Sequence, residues 1–183
     1  MVSEEEWEEI NEQQWKTTGS LSWSEYGWQN IVRYFITPAQ QKYQDTRCWR
    51  LCGEKSANHF HIFWECPSII PYWNELKKSM TKILKVELPF TFVVLYRGKG
   101  NQRITNSGDK YLFRTMLVAG KKAITRKWLK TEVPKMEDWV EVMHNIFIME
   151  KLTFSIRLES DKFKILWNNW VDFVKPFRTD FIW

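Results

Sequence analysis

Tight turns depend on glycine and proline, and this chain has only 7 Gly and 6 Pro in 183 residues, about 7% against a usual 12% or so. Sandwiches and barrels of many short strands need more turn residues than that. Long helices need few, and the spacing of apolar residues points the same way. Ile69, Trp73, Leu76, Met80, Ile83 and Leu84 recur every three or four residues, which predicts a helix over about 69–85, capped by Ser68 and ended before Pro89. Leu112, Phe113, Met116, Leu117, Ala123, Ile124 and Trp128 predict a second over 110–129, opened by Asp109. Trp139, Val140, Met143, Ile146 and Phe147 predict a third over 136–157. Phe163, Leu166, Trp170 and Val174 predict a fourth over 161–174, capped by Ser160 and stopped by Pro176. Trp73, Trp139 and Trp170 lie on these apolar stripes, where core packing is the expected role.

The N-terminal third is shorter in its periods. Ser3 and Glu6 read as a capping box opening a helix with Trp7, Ile10 and Trp15 on it. Ser24 can cap a helix over about 25–35, and Thr37-Pro38 reads as a cap followed by proline at the first helical position. Phe90 to Tyr96 is β-branched and aromatic, so it reads as a short strand near 91–96 or a buried extended piece. The organisation predicted is an acidic arm over 1–20, one all-α multi-helix domain over 21–176 with a Cys/His-rich insert at 46–67, and a tail over 177–183. The longest uncharged apolar run, Leu88 to Tyr96, is half of the ~20 residues that span a bilayer, so no membrane segment is expected. The opening Met1-Val2-Ser3-Glu4-Glu5-Glu6 lacks the basic start of a secretion signal. The expected setting is therefore intracellular, in cytoplasm and nucleus.

The net charge of +5 hides two poles. Residues 1–15 hold six Glu and no base, whereas residues 97–130 hold ten Lys or Arg against Asp109 alone, a local +9. Such a cluster either attracts polyanions, nucleic acid being the commonest in cells, or is a solvated helix face.

Cys48, Cys52 and Cys66 are an odd number for a disulfide framework. With His61 they read C-x3-C-x8-H-x4-C. Two close pairs joined by a short loop can bring four ligands to one tetrahedral ion at low loop-closure cost, and Gly53 suits the tight turn after the second Cys. His59 competes with His61 but spaces less well. Two outcomes fit these residues: a structural zinc, closed to water and so not catalytic, or a metal-free loop with buried thiols. Trp49 and Trp64 sit between the ligands near Arg47, Arg50 and Lys55. They could stack on unpaired bases or wedge the insert against the helices.

Cys48-Trp49-Arg50-Leu51-Cys52-Gly53-Glu54, then His61-Ile62-Phe63-Trp64-Glu65-Cys66-Pro67 and Tyr72-Trp73, resemble the cysteine-rich C-terminal segment of LINE-type (non-LTR) retrotransposon reverse transcriptases. Arg33 to Pro38 upstream, and Ala123 to Trp128, Trp139 and Ile148 to Lys151 downstream, are similar to that family in the same order, from about Trp28 to Trp170. The resemblance implies a C-terminal domain that binds the element's RNA, with Cys48, Cys52, His61 and Cys66 as zinc-type ligands. Its implied partner is RNA or single-stranded nucleic acid; the alternative is a structural or interaction module that docks through exposed Trp and Phe on the polymerase region of the parent polyprotein or on another chain. Phosphates are expected at Lys110, Arg114, Lys121, Lys122, Arg126 and Lys127, extended by Arg47, Arg50 and Lys55. No Asp-Asp pair of a polymerase and no P-loop, G-x-S-x-G or H-E-x-x-H motif occurs, and the third histidine, His144, sits mid-helix. The chain alone is expected to catalyse nothing.

Overall fold

The computed structural model describes residue 8 and residues 19–31, 34–41, 45–98 and 102–177. Nearly all of the acidic arm, with Trp7, Ile10 and Trp15, lies outside the described residues, as do Lys99 and the end of the tail. The architecture is all-α. Its helices are α1 (Leu21–Ile31), α2 (Ile70–Leu84), α3 (Phe92–Leu95), α4 (Ser107–Arg126), α5 (Met136–Ile156) and α6 (Ser160–Val174), with a 3-10 turn at Pro38–Gln40 and a π-helical turn at His61–Glu65.

Helices α4, α5 and α6 pack against one another; α2 covers all three, and α1 lies on α4. Large rings carry the seams. Trp139 on α5 meets Trp170 on α6 edge-to-face at 5.5 Å, and its indole N–H donates to the Met116 carbonyl on α4 at 3.1 Å. Trp73 on α2 donates to the Phe63 carbonyl at 2.7 Å, which ties the insert to the bundle. Removing a ring of this size from a core costs ~3–5 kcal/mol. Gly120 sets the approach of α2 to α4, since a Cβ there would lie 2.6 Å from Leu76 Cδ2. The carbonyl of Gly120 also accepts the Tyr72 hydroxyl at 3.0 Å.

Helix starts shift where a different cap wins. Asn106, not Asp109, caps α4, its Oδ1 accepting the Gly108 N–H at 2.7 Å. Ser24 falls inside α1, its N–H bonded to the Ser20 carbonyl. Thr37 does precede a turn begun by Pro38, but the turn is 3-10 and ends at Gln40.

The expected strand at 91–96 is a correction. Phe92–Leu95 is one helical turn capped by the Thr91 hydroxyl, which accepts the Val94 N–H at 3.3 Å. A strand needs a paired neighbour to satisfy its backbone, and no strand occurs among the described residues, so the local turn is the way these amides are bonded. No helix among the described residues is long and apolar enough to cross a membrane.

Candidate metal centre

The insert is built on backbone hydrogen bonds rather than on regular structure. Ala57 N–H donates to the Thr46 carbonyl and Cys48 N–H to the Glu54 carbonyl, closing a loop with Cys48 and Cys52 at its turn. Leu51 at φ 57° and Gly53 at φ 96° take left-handed backbone there, and Leu51 N–H bonds back to the Cys48 carbonyl. Glycine carries the second of these conformations without steric cost.

The second ligand pair uses the π turn. Five residues apart on an α-helix are about 140° apart around the axis. The i to i+5 hydrogen bond of a π turn instead brings such positions nearly into line. Cys66 N–H donates to the His61 carbonyl at 2.9 Å, so the x4 spacing becomes a same-side pair. Asn58 Oδ1 holds the start of this turn by accepting the His61 N–H at 2.9 Å.

The ligand atoms of Cys48, Cys52, His61 and Cys66 all lie within 4.8 Å of one another and could hold a metal ion. Cys48 Sγ is 3.9 Å from Cys66 Sγ, and Cys52 Sγ is 3.3 Å from His61 Nε2. The three cysteines are free thiols. Cys48, His61 and Cys66 are buried and Cys52 is partly exposed. His59 is outside the cluster; its ring packs on Phe63 at 4.5 Å.

The environment divides the thiols. Burial pushes the Cys48 thiol up to about 12. Burial also opposes ionisation of Cys66, but hydrogen bonds from the Arg50 side chain and the Ser68 backbone outweigh it and bring that thiol below its ordinary value. Burial lowers His61, which favours the neutral imidazole a metal requires. Arg50 is therefore part of the insert's interior: it is 6% exposed and donates to the Ile62 carbonyl at 2.7 Å.

That placement corrects the expected phosphate track at two positions. Arg50 is one. Lys121 is the other, 5% exposed, with Nζ 5.1 Å from the Tyr96 ring centroid and 3.4 Å from the Tyr96 carbonyl. Burial lowers its pKa to about 8. Both sit on helix or loop faces turned inward, which charge counting along a sequence does not register. Lys55 and Lys110 are exposed, and Arg114 is half-buried. Arg47 is exposed and paired with Asp45 at 2.6 Å, Arg126 pairs with Glu141 at 3.1 Å, and Lys127 pairs with Glu132 at 3.3 Å. Lys122 is half-buried over the Tyr26 ring at 4.5 Å.

The two tryptophans of the insert pack on other rings, Trp64 against helices α2 and α3 and Trp49 against the turn that follows α4. Trp49 meets Trp128 at 4.9 Å, and Trp64 meets Trp73 at 5.5 Å, Phe90 at 5.2 Å and Phe92 at 5.7 Å. Both remain half-buried. Phe60, Phe90 and Arg97 complete this aromatic surface and were not singled out by sequence. The alternation of Phe90, Thr91 and Phe92 was the available sign, and it pointed to a strand. No known protein-family model matches the chain.

Proposed function

We propose that this chain is a non-catalytic domain that binds RNA or single-stranded nucleic acid, stapled by one structural zinc, and that it is the C-terminal domain of a LINE-type reverse transcriptase. The observation that carries the reading is the convergence of Cys48, Cys52, His61 and Cys66 within 4.8 Å, at the spacing on which the resemblance rests. Three thiolates and one imidazole are a zinc donor set. A tetrahedron with Zn–S of ~2.3 Å and Zn–N of ~2.05 Å has S–S edges of about 3.8 Å and S–N edges of about 3.6 Å. The separations of 3.9 Å and 3.3 Å lie near those edges, and all the ligand atoms lie within 4.8 Å of one another. Four protein ligands leave no open position for water, so the metal supplies cross-linking and no Lewis-acid chemistry. Arg50 then orients and stabilises the Cys66 thiolate from outside the ligand set.

Support for a polyanion partner comes from exposed basic residues of 97–130, Arg97, Arg103, Lys110 and Lys130 among them, and from the exposed Lys55. The test is a titration with single-stranded RNA at two salt concentrations. Affinity is expected to fall linearly on a log–log plot, by about 0.7 unit of slope per phosphate contacted. Lys55→Glu with Lys110→Glu should weaken every sequence alike and reduce that slope. Absence of binding by the native protein at low salt sinks the reading.

A second reading has an observation of its own. Ile148, Met149, Leu152 and Ile156 form an exposed apolar stripe along the outer face of α5, with Ile156 74% exposed. This face suits docking on the polymerase part of the parent polyprotein, and it is separate from the metal loop. Titration of the isolated polymerase part with this chain, comparing Leu152→Lys, distinguishes that role from RNA binding.

A further inference from the structure

Phe90 and Phe92 flank an extended Thr91 (φ −133°, ψ 149°), so both rings fall on one side of the chain. Both meet Trp64, Phe90 in a stacked arrangement at 29° between planes and Phe92 edge-on. Phe60 meets Phe92 edge-on at 4.7 Å, and the Arg97 guanidinium lies 5.5 Å from the Phe92 centroid. Phe60 and Phe90 are each 38% exposed and Arg97 is exposed. These rings keep free surface, whereas Trp73, Trp139, Trp167 and Trp170 are completely buried.

We propose that Phe60, Trp64, Phe90 and Phe92, with Arg97, form a platform on which unpaired bases of a single strand stack, an inference that rests on the nucleic-acid reading above. Charge and chemistry favour this occupant over a protein. Arg97 supplies both a phosphate contact and a planar cation that can itself stack, and a polyanion answers the basic segment it begins. Phe60 and Trp64 belong to the segment that carries His61 and Cys66. Ligation of a metal by His61 and Cys66 would fix Phe60 and Trp64 in advance of binding, leaving less ordering to be done when a base arrives. Glu65 is the exposed acid beside Trp64 and would repel a phosphate, so the phosphate contact is assigned to Arg97.

The test compares two ligands on the full chain at low salt: a labelled single-stranded RNA of about 10 nucleotides and an abasic strand of the same length. The native protein is expected to bind the base-bearing strand more tightly. Phe90→Ala is expected to weaken that strand by about 5- to 150-fold and leave the abasic strand unchanged, while Phe90→Trp restores binding. If circular dichroism shows that Phe90→Ala does not fold, Phe90→Leu keeps the volume without the ring and is held to the same outcome. Equal binding of both strands by the native protein overturns the platform and leaves phosphate binding standing. Equal weakening of both strands by Phe90→Ala also overturns it, as does unchanged binding, which assigns the rings to a protein contact. Failure of the native protein to bind either strand removes both this proposal and the reading beneath it.

Discussion

Replacing Glu150 with leucine tests whether a buried carboxylate organises the centre of the bundle. Glu150 is 0% exposed on α5 and accepts three donors: the Tyr111 hydroxyl at 2.6 Å, the Gly19 N–H at 3.0 Å and the Trp167 indole N–H at 2.8 Å. Leucine leaves all three without this acceptor. Trp167 is fully buried and cannot turn to water, so its N–H bears the full penalty of ~1–3 kcal/mol. Tyr111 and Gly19 are partly exposed and recover some solvation, so each is assigned about half of that. The expected loss is about 2–6 kcal/mol, a large share of the ~5–15 kcal/mol that holds a domain of this kind together. Urea denaturation followed by far-UV circular dichroism measures it. A loss below about 1 kcal/mol would refute the reasoning, because it would mean the three donors find partners elsewhere.

The same residue has a pH signature. Burial raises the Glu150 pKa, against the opposing effect of Tyr111, Trp167 and Gly19. A carboxyl whose folded pKa lies above its unfolded value stabilises the fold fully below the unfolded pKa, and that contribution is lost as pH rises through the folded value. The native protein should therefore gain on Glu150→Leu as pH is lowered from neutrality toward the unfolded carboxyl range. A gap that widens with rising pH instead contradicts the sign.

Three other outcomes follow from the packing. Gly120→Val should lose about 1–3 kcal/mol in chemical denaturation, because its side chain would drive into Leu76 and Tyr72, where a Cβ alone stands 2.6 Å and 3.7 Å away. Lys121→Met should be stabilising or neutral at pH 7. The native lysine, lowered to about 8, costs up to about 3 kcal/mol while charged, and that cost disappears as pH rises toward the unfolded lysine value. Chelation, or Cys52→Ala, should remove the proposed zinc and lower the melting temperature while far-UV helicity is retained, since α4, α5 and α6 pack directly on one another. A melting temperature indifferent to chelator would show that the thiols stand without metal.

Much of the fold and the donor set can be read from residue order. The stripes on α2, α4, α5 and α6 follow from a 3.6-residue period that any apolar core imposes, so their positions are local information. The donor identities are local too, since C-x3-C and H-x4-C are short-range pairs. Three things required the tertiary structure. Phe92–Leu95 became a helical turn because no strand lies beside it among the described residues to bond its amides, which a window of β-branched residues cannot reveal. Lys121 and Arg50 left the basic surface because packing turned their faces inward, and burial is a property of neighbours distant in sequence. His61 and Cys66 came to one side through a single π turn, whose hydrogen-bond register is set by how Asn58, Phe63 and Trp73 lock that segment onto α2. Sequence thus determined which groups could ligate and which helices could form; the packing of α2 against the insert decided where the ligands point and which cations remain in water.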